Sequence, residues 1–182
     1  MTSFMIGQSQ DATETENRFE ALPIKERALR AFKTKLTGTD WTYNVVPVGR
    51  VQRTPIIDRF AAVPGGAVIA IVEQGETFGT NAQTRENTVS VFVEFVVPVG
   101  NDEDASTILN LFAADIVQML HGTSSLREEG SDAPLGVNVI AMGFTPNTDE
   151  TGQTKTAFGE LEFRILYRHQ IGQPYQAAGT YS

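Results

Sequence analysis

The stretch KTAFGELEFRILYRHQIGQPY, residues 155–175, contains the alternation that decides the fold. From Leu161 to Arg168, every second side chain is large and apolar, and the positions between them are mainly charged. A period of two is that of a β-strand with one buried face. The apolar positions are Leu161, Phe163, Ile165 and Tyr167. We therefore predict a central strand of a sheet, with these side chains in the core.

The opposite face of this strand carries Glu160, Glu162, Arg164 and Arg168. The two glutamates are about 6.6 Å apart along an extended chain, a separation that resembles the carboxylate pairs of glycosidases. The two arginines continue the same face, however. We therefore interpret the row as a charge ladder that faces water or a neighbouring subunit.

Residues 86–99, ENTVSVFVEFVVPV, predict a second long strand. Its core face consists of Val89, Val91, Val93, Phe95 and Val97. On the other face, Phe92 and Val96 flank Glu94, and these apolar side chains need cover from a helix or from another subunit. A strand of about thirteen residues reaches roughly 43 Å, which matches the diameter of a whole domain of this size. We expect such strands to bend, to bulge at a point such as Gly159, or to project and pair with something else.

Two segments show the apolar spacing of amphipathic helices, residues 18–36 and residues 105–120. Asp102 and Asp104 precede the second helix, where acidic side chains cap and stabilise a helix N-terminus. A strand or an extended edge segment is predicted at residues 43–48, and further strands are predicted at residues 67–73 and 137–144. The expected fold class is α+β, with a mostly antiparallel twisted sheet of four to five strands packed against two helices, long loops and extended termini.

The size and composition of the chain suit one domain, since it has 182 residues of which 41% are hydrophobic. We expect a flexible N-terminal arm over residues 1–17, an α+β domain over residues 18–170 and a C-terminal tail over residues 171–182. The net charge of −8 argues against binding nucleic acid by neutralising its phosphates. No signal peptide or membrane helix is predicted, so we expect the protein to be made in the cytoplasm.

No motif in the sequence predicts catalysis or cofactor binding. The chain has no cysteine, and it lacks a nucleophile elbow, a phosphate-binding loop, a dinucleotide fingerprint and a zinc-protease motif. Its two histidines, His121 and His169, fall at the end of a predicted helix and of a predicted strand, where histidine is commonly structural. We expect no cofactor, no metal site and no enzyme activity.

The order of elements resembles that of the tail terminator, or tail completion, proteins of tailed bacteriophages. The segments that carry the resemblance are VSVFVEFVVPVG at residues 89–100, DASTILNLFAADIVQML at residues 104–120 and LEFRILYRHQIGQPY at residues 161–175. The resemblance covers most of residues 20–175 in element order and includes no diagnostic motif. It implies an α+β virion subunit, at the head-tail junction, that forms a homo-hexameric ring on the tail tube, ends polymerisation of the tube and joins it to the head connector.

Such a ring would contact the tail tube protein, a neck or head-completion protein and, in a contractile tail, the sheath. DNA would pass through its lumen without specific binding. Acidic loops would suit a lumen because they repel phosphates. The residues that we assign to those loops are Asp102, Glu103, Asp104, Glu128 and Glu129. The residues that we assign to the subunit interface are Phe92, Glu94, Val96, Glu160, Glu162, Arg164 and Arg168.

Two alternative functions stay open at this point. The chain could be another phage neck, head-to-tail joining or tail tube subunit, although a tube protein is expected to be almost entirely β. It could also be an unrelated α+β enzyme or small-molecule binding domain. In that case we expect a monomer with a deep pocket that contains His121, His169 or the pair Glu160 and Glu162.

Overall fold

The computed structural model describes residues 22–38, 41–43, 46–57, 66–80, 84–100, 104–122, 126–127, 133–148 and 156–172. The elements within these ranges are α1 (Ile24–Thr37), β1 (Val48–Gln52), β2 (Ala67–Thr80), β3 (Thr84–Pro98), α2 (Ala105–Leu120), β4 (Asn138–Thr148) and β5 (Thr156–Gln170). The predicted arm, residues 1–17, lies outside the described residues, and so does the predicted tail beyond residue 172.

The described strands form one five-stranded sheet in the order β1-β2-β3-β5-β4. The pair β1 and β2 is parallel, and the other three pairs are antiparallel. The predicted α+β fold class is confirmed. None of the helices in the described part of the chain is long and apolar enough to cross a membrane.

The predicted central strand, β5, lies between β3 and β4. Strands β3 and β5 pair in continuous register from Thr84↔Gln170 to Pro98↔Thr156. This register places the apolar rows of the two strands on the same face, and the side chains of both rows are buried. The two core faces that the alternation predicts are therefore confirmed.

Both helices contribute to the core on this same face of the sheet. Phe32 of α1 meets the ring of Phe163 edge to face, with 5.8 Å between ring centroids. Phe112 of α2 lies 5.1 Å from the ring of Phe95 and 4.8 Å from the ring of Trp41. We call this side of the sheet the helix face and the other side the second face.

Gly159 is required by close packing and not by a bulge, so the predicted bulge there is wrong. A Cβ atom at Gly159 would lie 2.5 Å from two ring atoms of Phe95. The register of β3 and β5 runs through this glycine without a shift. The irregularities occur instead between Glu73 and Gly75 of β2 and between Ala141 and Gly143 of β4.

Of the strand or extended edge segment predicted at residues 43–48, the described residues 43, 46 and 47 are not in a strand, and β1 begins at Val48. The backbone N–H of Tyr43 donates to the carboxylate of Asp115 in α2, at 2.9 Å, and that of Thr42 donates to the same group at 3.0 Å. Pro47 has no N–H to donate, and its carbonyl accepts from Ala67 at 2.8 Å. A helix side chain therefore takes the backbone donors that a strand would have used.

Candidate assembly surface and polar cleft

The second face of the sheet brings together the residues that the sequence assigned to a subunit interface. In the register of β3 and β5, Glu94 lies opposite Glu160, and Phe92 lies opposite Glu162. Arg164 and Arg168 follow on the same face because they are an even number of residues further along β5. Val96 and Glu94 lie at one end of this face, and the arginines lie at the other.

The end of the second face around Val96 is buried within the chain. Val96 is 0% exposed and Glu94 is 6% exposed. The N–H of Ile56, which follows β1, donates to Oε2 of Glu94 at 2.9 Å. The chain beyond β1 therefore returns to this end of the sheet. The assignment of Glu94 and Val96 to a subunit interface is corrected, since neither side chain presents surface to a neighbour.

The remainder of the second face is accessible. Phe92, Glu160 and Glu162 are partly exposed, and Arg164 and Arg168 are exposed. The same area includes partly exposed apolar residues that the sequence did not single out, namely Val72 opposite Phe92, Ile140 opposite Arg164, and Leu166. We call these eight residues the open patch. It combines apolar area with a row that runs from acidic to basic along β5.

Among the described residues, the charge ladder makes a cross-strand ion pair at Arg168. Nε of Arg168 donates to Oε2 of Glu86, directly across on β3, at 3.0 Å. Both side chains are close to half exposed, so this ion pair contributes little to stability. Its geometry is that of a cross-strand surface pair, as expected for a ladder.

The acidic residues assigned to a lumen are mostly beyond what the structure describes. Asp102, Glu103, Glu128 and Glu129 lie outside the described residues. Asp104 is described and caps α2, because its Oδ1 accepts from the N–H of Ser106 at 3.0 Å and its Oδ2 accepts from Thr107 Oγ1 at 2.7 Å. These hydrogen bonds, with that from Thr107 the larger cause, hold the pKa of Asp104 below its ordinary value.

The two histidines contact different parts of the fold. His121 follows α2, and its Nδ1 accepts from the N–H of Ala141 on β4 at 3.1 Å. His169, near the end of β5, is buried and stacks on Tyr167 with 6.2 Å between ring centroids. Within the described ranges, no three His, Asp or Glu side chains are grouped so that they could hold a metal ion.

A polar cleft lies on the helix face, between the start of α1 and the adjoining ends of β2, β3 and β5. Its volume is about 450 Å³. The described residues that line it are Pro23, Lys25, Glu76, Phe78, Arg85, Asn87, Tyr167, His169 and Gly172. Of the residues named above for a pocket, only His169 is in this set.

Glu76 is the centre of the hydrogen-bond network in the cleft. Its carboxylate accepts from the Tyr167 hydroxyl and from Nδ2 of Asn87, the latter at 2.9 Å, and lies 3.3 Å from Nζ of Lys25. Nζ of Lys25 also lies 2.8 Å from Glu73. Burial, followed by the hydrogen bond to Glu76, raises the pKa of Tyr167 far above its ordinary value, so the phenol stays a donor.

The irregularity in β2 explains why the sequence did not reveal this network. Residues 73 and 76 differ by an odd number, so a regular strand would place their side chains on opposite faces. The shift between Glu73 and Gly75 instead sets Glu73 opposite Val91 and Glu76 opposite Val89. Both valines are on the core side of β3, so both carboxylates reach Lys25 of α1. Gly75 was the one sequence signal for the shift.

The mouth of the cleft carries exposed apolar and cationic groups. Phe78 is 58% exposed, and the guanidinium carbon of Arg85 lies 4.8 Å from the centroid of its ring. Ile171, next to Gly172, is 59% exposed. Deeper in the cleft, Oδ1 of Asn87 is a buried acceptor with no hydrogen-bond partner.

Comparison with protein-family models gives no match for this chain, and comparison with curated protein sequences gives none.

Proposed function

We propose that this protein is a structural virion subunit that assembles into a ring on the end of a phage tail tube, ends its polymerisation and joins the tube to the head connector. The observation that carries the proposal is the open patch. One face of the sheet is covered by both helices, whereas on the other face Val72, Phe92, Ile140 and Leu166 stay partly exposed. Apolar area at the centre of a sheet face is the usual composition of a subunit contact.

The occupant of the open patch in this proposal is a second copy of the chain. Charge supports this choice, because the row on β5 begins with Glu160 and Glu162 and ends with Arg164 and Arg168. A surface with acidic and basic ends can meet a neighbour head to tail with opposite charges in contact. Heterologous contacts of this kind close into rings when the rotation between neighbours permits.

The overall charge is compatible with a ring through which DNA passes. The chain carries a net charge of −8, and an acidic lumen would keep the phosphate backbone from binding. The α+β fold is also the one that the sequence resemblance implies. A tube subunit, expected to be almost entirely β, fits less well because α1 and α2 complete the core.

The test is the mass of the assembly under native conditions, together with electron microscopy of the purified protein. We expect rings of six subunits. The variant Leu166→Asp should weaken the assembly by about 2 kcal/mol or more, about thirtyfold in the association constant, because it adds a charge to the contact. Gln118→Asp, at an exposed position of α2, is the matched control and should leave rings intact. A monomer at micromolar concentration would refute the proposal.

A second candidate function is small-molecule binding at the polar cleft. The observation that favours it is the presence of His169 in a cleft of about 450 Å³ beside the buried residues Asn87 and Tyr167. A thermal-shift screen of small carboxylates and nucleotides tests it. This candidate requires a ligand that stabilises a monomer and loses its effect in Asn87→Ala.

A further inference from the structure

The mouth of the polar cleft presents a cation that no carboxylate neutralises within the described residues. Lys25 is engaged by Glu73 and Glu76. Arg85, by contrast, is exposed and makes no ion pair in the described part of the chain; its guanidinium stacks on Phe78. A stacked guanidinium keeps its in-plane N–H donors free for a carboxylate. The mouth therefore suits an anionic group beside an apolar one.

A second observation, independent of the first, concerns the interior of the cleft. Asn87 is 3% exposed, and its Nδ2 donates to Glu76 and to Tyr167. The carboxylate of Glu76 fixes this orientation of the amide, since a carboxylate can only accept. The remaining acceptor, Oδ1, is buried without a partner. An unsatisfied buried acceptor is destabilising, and a donor that reaches it from the cleft would offset this cost.

These groups match the chemistry of an extended acidic peptide. A backbone N–H can donate to Oδ1 of Asn87, a carboxylate side chain can pair with Arg85, and an apolar side chain can cover Phe78 and Ile171, which are both more than half exposed. A small inorganic anion would satisfy the cation alone. The combination therefore favours a polypeptide segment.

The chain itself contains a segment of this composition. Residues 1–17, MTSFMIGQSQDATETEN, include three carboxylates and no lysine or arginine, together with the apolar run Phe4, Met5 and Ile6. Seventeen extended residues span up to about 56 Å, which is enough to reach a neighbouring subunit. The chain enters α1 through Pro23, and this residue lines the cleft.

We propose that the polar cleft binds residues 1–17 of a second copy of this chain. The contact rests on the proposed ring, in which each subunit would donate these residues to one neighbour and accept those of the other. Exchange of this kind is a head-to-tail contact, like the one proposed for the open patch, and the two contacts would reinforce each other through high effective concentration.

Disulfide trapping between two full-length variants tests the proposal. The sequence contains no cysteine, so only the introduced cysteines can form a disulfide. One variant carries Thr13→Cys and the other carries Ile171→Cys, at the residue that precedes Gly172 of the cleft lining. The two proteins are mixed and oxidised under mild conditions, and the disulfide-linked pair is quantified by mass. We expect the yield to exceed by about tenfold that obtained when Gln118→Cys on α2 replaces Ile171→Cys, because effective concentrations at bound contacts reach the millimolar range.

A labelled synthetic peptide of residues 1–17 provides the second measurement, on full-length protein. Excess peptide should compete with the trapping, and Arg85→Glu should lower the trapping yield by about twofold to fivefold, as expected for one charge pair at a rim. A yield equal to that of the Gln118→Cys control would overturn the proposal. So would a disulfide that forms only within single chains carrying both Thr13→Cys and Ile171→Cys.

Native mass measurement separates this proposal from the ring itself. Six-membered rings without trapping would refute the exchange of residues 1–17 and leave the ring intact. Trapped dimers that never grow into rings would support the exchange and refute the proposed function. Monomers without trapping would refute both.

Discussion

Gly159→Ala is expected to destabilise the fold by a steric effect that the structure defines. The added methyl group would lie 2.5 Å from two ring atoms of Phe95 and 3.1 Å from a ring atom of Phe144. The Phe95 ring is not free to swing away, because it is 0% exposed, lies 5.1 Å from Phe112 and stacks on Phe144 with 6.1 Å between centroids. Relief therefore requires the sheet or α2 to move.

The expected loss is that of overpacking in a closed core, about 1–3 kcal/mol in the free energy of unfolding. For a chain of this length, each kcal/mol lowers the melting temperature by about 2–4 °C, which gives a decrease of about 2–12 °C. Urea unfolding followed by circular dichroism measures the free energy directly. An unchanged dependence on denaturant would show that the variant keeps the native fold.

Gly143→Ala is the matched control, since Gly143 is a strand glycine of the neighbouring β4. No atom lies within 4 Å of its Cβ position, and it is exposed. We expect this variant to be neutral or more stable by about 0.4–1 kcal/mol, because alanine lowers the entropy of the unfolded chain. The same substitution on adjacent strands should therefore have opposite effects.

A double-mutant cycle identifies the clash. Combining Gly159→Ala with Phe95→Leu should cost at least about 1 kcal/mol less than the sum of the single variants, because the shorter side chain makes room for the methyl group. Additive costs, or a Gly159→Ala variant within 0.3 kcal/mol of the parent protein (about the error of additivity), would refute the packing argument.

Substitutions at three further positions test other contacts. Asp115→Ala removes a buried carboxylate that accepts from two backbone N–H groups, including that of Tyr43. It should lower the free energy of unfolding in urea by about 3 kcal/mol, whereas Asp115→Asn, which keeps one acceptor, should lower it by about half as much. Tyr167→Phe should reduce the loss of stability at alkaline pH. The raised pKa of Tyr167 stabilises the fold fully below pH 10.0, the ordinary value, and this contribution falls as the pH rises above it. Equal slopes of stability against pH for the variant and the parent protein from pH 9 to 11.5 (roughly one unit below and above the ordinary pKa) would count against the network. Asp104→Ala removes the N-cap of α2 and should lower the melting temperature, with Asp104→Ser restoring most of the loss in thermal melts.

The interface residues show where prediction from sequence reached its limit. The alternation placed Phe92, Glu162 and Arg164 on one face of the sheet, and the register of β3 and β5 confirms this. The alternation could not distinguish these accessible residues from the buried Val96 and Glu94, because all five side chains fall on the same face of the sheet. Both of the latter are buried, and the chain after β1 contacts Glu94 through the N–H of Ile56, a contact that has no local signature.

The sequence by itself determined the elements and their faces: the apolar rows of β3 and β5, the stripe and cap of α2, and the α+β class. Periodicity fixes these features, because burial of one face requires a local repeat. The tertiary structure decided which part of the second face stays open and how the cleft formed. A register shift at Gly75 placed Glu73 and Glu76 together on the helix face, where Lys25 meets them. Such contacts join residues about fifty positions apart, so no local pattern could encode them.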